Sequence, residues 1–258
     1  MDLNLKDKSF IVCGASSGFG RAVTLNLIQE GAHVIAIARD KKKLSELERD
    51  GKGRIEIFTG DVSDEKTINR FFSEINLDKV TGALINAGGP PAMKFNETKI
   101  KDWDDAYNTL VRWKVLFSMK LIPFLKEKKY GRLVYIESAS VKQPIENLVL
   151  SNSLRMAVVG MVKSLSQDLI KEGITLNILA PGYHETHAVE RLVKKQSETH
   201  SISYEEAKQK ITHAIPAGKM GSHMGFGSLA TWLLSEKSSY VTGQTISIDG
   251  GVIQYVFG

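Results

Sequence analysis

Cysteine is almost missing from this sequence: Cys13 is the single one in 258 residues, so no disulfide can close within the chain. No apolar run approaches the ~18 residues that a membrane-crossing helix needs. The opening MDLNLKDKSFIVCG has no basic stretch followed by an apolar core, so a soluble, cytoplasmic protein with no membrane partner is expected. Charge of one sign is thin as well: 34 basic against 29 acidic residues leave a formal +5, scattered except at Lys41, Lys42 and Lys43. That is too weak a footprint for nucleic acid, although it leaves room for a local anion site. His33, His187, His200, His213 and His223 show no ligand spacing with cysteines or acids, so no metal site is expected. There is no internal repeat, low-complexity tract or linker. With 42% hydrophobic and 24% charged residues, the whole of 1–258 reads as one globular domain.

What is present is an alternation of short apolar runs with longer segments of helical period, the pattern of βαβ units and a parallel sheet. Strands are expected at Ser9 to Cys13, His33 to Ala38, Arg54 to Phe58, Ala83 to Asn86, Arg132 to Glu137, Thr175 to Leu179 and Thr245 to Ile248. Helices fill the intervals, including a long one from Trp103 to Lys128 with Pro123 as a bending point, and another from Leu148 to Glu172. Trp113, Phe117 and Leu121 recur at helical spacing and read as core or subunit-interface packing. The one long departure from the rhythm, about 187–220, is rich in helix formers and reads as a lid beside the strand ends.

After the first strand come Cys13, Gly14, Ala15, Ser16, Ser17, Gly18, Phe19 and Gly20, leading into an apolar-periodic helix. Glycines there let the backbone turn tightly, so that a pyrophosphate can approach bare N–H groups at the positive end of a helix. Placed between a strand and a helix in the first βαβ unit, they point to a nucleotide. This run resembles the glycine motif of the short-chain dehydrogenase/reductase family, with Cys13 where threonine is usual. The resemblance continues through Asp61-Val62, Asn86-Ala87-Gly88, Pro181-Gly182 with Thr186, Tyr240 to Gln244, and Asp249-Gly250-Gly251. Segments such as Gly173 to Asn177 are similar to the β-ketoacyl carrier-protein reductase branch.

The resemblance implies a Rossmann-type, doubly wound α/β domain with a mainly seven-stranded parallel sheet. It implies an oxidoreductase acting on a small carbonyl or alcohol, and a homodimer or homotetramer. It also implies a cofactor site of Gly14, Ser16, Ser17, Gly18, Phe19, Gly20, Asp61, Val62, Asn86, Ala87, Gly88, Pro181, Gly182 and Thr186. An NAD-preferring site usually ends its second strand with a carboxylate, but that position is Ala38, and Arg39 follows with three lysines close behind. A 2′-phosphate would meet positive charge there, so NADP(H) is expected, with NAD(H) as the alternative if Asp40 serves a ribose hydroxyl. Asp40 is also a natural N-cap for the helix that follows.

At the catalytic positions the match breaks down. The family's serine falls on Ser138, but its tyrosine falls on Ser151, its lysine on Arg155 and its asparagine on Leu110. A phenol with pKa near 10 can be tuned toward neutrality by an adjacent cation, whereas an aliphatic alcohol is far less acidic. Arg155, one turn beyond Ser151, can still hydrogen-bond ribose hydroxyls. Tyr183, His184, Glu185 and Lys142 are alternative proton donors, Asn147 and Asn152 could hold a water, and Glu137 is expected to face away from the cleft by strand alternation. Besides an oxidoreductase with a non-standard proton donor, the pattern admits a dinucleotide-binding protein with little turnover, or a lyase or isomerase on the same fold.

Overall fold

Seven runs become strands, the central ones buried between two layers of helices and the two edge ones only partly covered. In the computed structural model, residues 1–256 are described, except for the side chains of His187 and Ala188. The strands are β1 (Ser9–Cys13), β2 (His33–Ala38), β3 (Ile55–Thr59), β4 (Val80–Ile85), β5 (Gly131–Ile136), β6 (Ile174–Pro181) and β7 (Thr245–Ile248). They lie in the order β3-β2-β1-β4-β5-β6-β7, and every neighbouring pair is parallel. The fold is therefore the expected doubly wound α/β sheet.

Parallel neighbours need crossovers, and helices supply them. These are α1 (Gly18–Gln29), α2 (Lys41–Asp50), α3 (Glu65–Glu74), α4 (Ile100–Tyr107), α5 (Trp113–Glu127), α6 (Val149–Leu169) and, after the helical insertion, α9 (His223–Leu233). Alternate strand residues divide the core in two. Ile11, Cys13, Ile85, Leu133 and Tyr135 face α3, α5 and α6, while Phe10, Val12, Leu84, Val134 and Ile136 face α1, α2 and α9. Asp40 caps α2 as its type suggests, its carboxylate accepting the Lys43 N–H at 3.1 Å. Among the described residues, no helix is long and apolar enough to cross a membrane.

Several expected boundaries need correction. Strand β3 starts one residue later than Arg54, and β4 occupies Val80–Ile85 instead of ending at Asn86. The long helix from Trp103 is α4 and α5 joined by a π-helical turn at Asn108–Arg112, while α5 runs on through Pro123. The Thr109 hydroxyl bonds back to the Asp105 and Ala106 carbonyls at 2.9 and 3.3 Å, and the Trp113 indole N–H bonds the Thr109 carbonyl at 2.9 Å. Such local bonds compete with the regular helical ladder and favour a widened turn. Trp113, Phe117 and Leu121 are core residues, all but sealed from solvent within a single chain. The insertion forms α7 (His187–His200) and α8 (Tyr204–His213), which share a small apolar cluster of Val193, Ala207 and Ile211.

Candidate active site

In an open parallel sheet, the crevice opens outside the carboxyl ends of the strands where their order reverses, here between β1 and β4. The turn after β1 is built for close approach. Gly14 and Gly18 take the left-handed conformation, with φ of 69° and 51°. A Cβ on Gly20 would stand 2.2 Å from the Gly14 carbonyl oxygen, so only glycine lets α1 start this near the strand end. Ser17 holds the N-cap position without a side-chain cap bond, leaving the first N–H groups of α1 for another acceptor. The Phe19 ring turns inward, 4.0 Å from the Phe226 ring centroid and 5.1 Å from that of His184, so only its backbone belongs to the turn.

Segments distant in sequence close around this turn. A Cβ on Gly14 would lie 2.8 Å from Asn86 Nδ2, which seats the Asn86-Ala87-Gly88 run against it. The Thr186 methyl comes within 3.8 Å of a Cβ position on Gly18. Pro181-Gly182 rests on the C-terminal Asp249, Gly182 donating its N–H to the Ile248 carbonyl at 2.9 Å with no room for a side chain. At the far end of the crevice Arg39 is largely exposed and lies 3.6 Å from Asp61, which also accepts the Ser63 N–H and hydroxyl. Val62 is buried in the core beside it.

Ser138, Ser151 and Arg155 are held by bonds that the sequence did not announce. Ser138 Oγ accepts the Ser140 N–H at 3.1 Å. Ser151 Oγ accepts Arg155 Nε–H at 2.9 Å, and Arg155 Nη1 donates to Glu137 Oε2 at 2.9 Å. The other Glu137 oxygen takes Lys114 Nζ, from α5. All three charged side chains are nearly sealed, with 2% exposure for Lys114, 0% for Glu137 and 10% for Arg155. Strand alternation does turn Glu137 to the face opposite Ser138, but that is the face on which α5 and α6 pack, so Glu137 binds two cations there. Burial pushes the Lys114 pKa down against the pull of Glu137, and the Arg155 charge adds to the fall. One turn along α5, Ser118 Oγ and Tyr135 OH share a bond of 2.7 Å, and burial pushes the Tyr135 pKa up. Leu110, at the asparagine position, is core. Lys114 sits among apolar helix positions, which hides its charge from a reading of the sequence. The available signal was a lysine and a glutamate both at positions the periodicity buries.

The alternative donors are placed elsewhere. The Tyr183 ring packs into the apolar cluster of α7 and α8, and burial pushes its phenol pKa up. His184 is buried edge-on to Phe19 and Phe226, and burial pushes its pKa down. Glu185 is exposed and ties its N–H to the Gly221 carbonyl. Lys142 ends the short 3-10 turn Ala139–Val141 that follows Ser138. Asn152 spends its amide on the Ile145 backbone, donating at 2.8 Å and accepting at 3.3 Å, while Asn147 is exposed. Beside the start of α6 a groove of about 350 Å³ is lined by Met93, Phe95, Ile145, Leu148 and Asn152 among others. The His187 side chain lies outside the described residues; among those described, no group of three or more His, Cys, Asp or Glu is arranged to hold a metal ion.

A glycine-lined crevice at the switch point of a parallel sheet, with a serine at the end of the fifth strand, defines a dinucleotide-fold oxidoreductase. Residues 14–253 match the family model described as enoyl-(acyl carrier protein) reductase. The chain thus belongs to the short-chain dehydrogenase/reductase family, on its ketoacyl-reductase-like side. It is 30% identical over 248 residues to dehydrogenase/reductase SDR family member 6 of Rattus norvegicus, covering 96% of this chain and 98% of that one. It is 28% identical to the 3-oxoacyl-[acyl-carrier-protein] reductase FabG of Thermotoga maritima, covering 97% of this chain and all of the relative. The crystal structure of a variant of actinorhodin polyketide ketoreductase with NADPH superimposes with a TM-score of 0.91 at 25% identity, covering 96% of this chain and 98% of that one.

Proposed function

We propose that the chain is an NADP(H)-dependent oxidoreductase acting on a carbonyl or alcohol, in which the Ser138 hydroxyl binds the reacting oxygen and water moves the proton. The observation that carries this reading is the turn where Gly20 has no room for a Cβ, at the same carboxyl edge of the parallel sheet as Ser138. The residues fit a dinucleotide. Gly14, Ser16, Ser17, Gly18, the Phe19 backbone and Gly20 would hold its diphosphate; Asp61 and Val62 its adenine; Asn86, Ala87, Gly88 and Arg155 the neighbourhood of its second ribose; Pro181, Gly182 and Thr186 its carboxamide. Arg39 would meet a 2′-phosphate, which favours NADP(H) over NAD(H). When bound, the nicotinamide supplies hydride chemistry.

Ser138 accepts from a backbone N–H and Ser151 from a guanidinium that can only donate, so each hydroxyl keeps its proton for an oxygen outside. Neither alcohol has the acidity of the missing phenol, and Tyr183 and His184 are packed into other work, so an ordered water is the proton source. The groove beside α6 would take the rest of the substrate. Exposed Tyr107, Met119, Phe124 and Met156 on α4, α5 and α6 suit a homodimer or homotetramer, and a cytoplasmic location belongs to the same reading.

Calorimetry with NADPH and NADH, followed by a panel of aldehydes, ketones and quinones, tests it. NADPH should bind at least tenfold more tightly than NADH, and some panel member should oxidise it. Arg39→Asp should reverse the preference, since charge-assisted bonds are worth about 1.5–3 kcal/mol each. Tight binding with no turnover would instead identify a dinucleotide-binding protein, and no binding of either nucleotide would end the reading altogether.

A further inference from the structure

The buried cluster does not balance. Lys114 and Arg155 carry two positive charges, Glu137 one negative, and all three side chains are almost withdrawn from water. A buried ion needs a partner, because its lost hydration is otherwise uncompensated. Two of the three Arg155 nitrogens are committed, Nε to Ser151 and Nη1 to Glu137. Among the described residues Nη2 has no hydrogen-bond partner, and it points at the loop after β4, where a Cβ on Gly89 would stand 3.0 Å away. The adjoining Gly88 has nothing within 4 Å of its own Cβ position, so space opens where the free nitrogen arrives. Ser151 adds a second donor at the same point, since its oxygen is occupied by the guanidinium and its proton is not.

We propose that the substrate is an oxo acid, whose carboxylate is taken by Arg155 Nη2 and the Ser151 hydroxyl over a buried cluster with one positive charge in excess. This rests on the reductase reading and narrows it from any carbonyl to an acidic one. Glu137 is then a positioning residue that holds the guanidinium in place, and Lys114 supplies the excess charge without touching the ligand. Replacing tyrosine and lysine by serine and arginine trades an acid for an anion receptor, and a guanidinium is the side chain suited to carboxylate.

The test is calorimetric and needs no turnover. The full chain, saturated with NADP+, is titrated with acetate, oxamate and benzoate, and in parallel with acetamide, oxamide and benzamide. At least one carboxylate should bind tenfold or more tightly than its amide. Lys114→Met, which removes the excess charge and leaves the Arg155–Glu137 pair, should shrink that ratio several-fold. If that variant does not fold, Ser151→Ala carries the same test by weakening the carboxylate several-fold. Amides binding as well as carboxylates, or a ratio untouched by the variant, would overturn the proposal. Reduction of neutral ketones alongside failed carboxylate binding would sink only the acidic substrate, whereas failure to bind NADP+ would sink the reductase reading first.

Discussion

Cys13 shows how completely one position can be set by its surroundings. It ends β1 directly under the glycine turn and is fully buried. Burial pushes its thiol from 9.0 up to about 12, against weaker opposing pulls from the Asn86 backbone and the Lys114 charge. The native value lies above the unfolded one, so the folded chain holds the extra proton between those limits. Stability from this group is complete below pH 9 and is lost as pH rises toward 12, by at most about 1.4 kcal/mol per pH unit. Native protein at about pH 8, below both values, should therefore resist iodoacetamide until denaturant unfolds it, and Cys13→Ala should flatten the alkaline fall of the urea midpoint. Labelling of the native thiol at the rate of a free cysteine would refute this. The same burial that silences Cys13 makes Lys114 and Glu137 matter, since charges so withdrawn must answer to one another.

Between elements, the glycine turn is the tightest joint, and its failure should be specific. Gly20→Ala would bring a methyl to 2.2 Å from the Gly14 carbonyl, a distance that backbone cannot relieve by rotating a side chain. The variant should lose NADPH binding by at least tenfold in calorimetry and several degrees in melting temperature; full retention of both would show that the turn opens without cost. This joint was legible in the sequence, because glycine spacing, strand and helix periods are local signals. So was Asp40 as a cap. Boundaries such as the start of β3 and the π-helical turn before α5 were less so, because Thr109 and Trp113 shift the ladder through bonds that no apolar pattern encodes. Periodicity marks Lys114 and Glu137 as buried, but spacing does not show that they meet each other and Arg155. The cluster joins α5, the residue after β5, and α6, and exists only once the sheet has brought them to one face.

At the scale of the whole molecule, two large apolar clusters flank the sheet, whereas α7 and α8 rest on a small one of their own. Val193, Ala207 and Ile211 are its buried members, with Tyr183, Leu192 and Met220 packed at the edge. The base of the insertion is pinned where His184 pairs with Gly221, so the helices can loosen without disturbing the sheet. Regions with so few buried contacts open at low free energy. Removing a large buried aliphatic costs about 2–5 kcal/mol, more than a satellite cluster of this size can be expected to spare. Ile211→Ala should therefore expose the α7–α8 connection near Ser201 to protease while shifting the global melting temperature little; Leu133→Ala, in the main core, should lower the melting temperature itself. Because Thr186 at the foot of α7 reaches the glycine turn, NADPH should slow the Ile211→Ala cleavage. If both variants lose global stability alike, with no preferential nick, α7 and α8 are part of one cooperative unit and do not act as a lid.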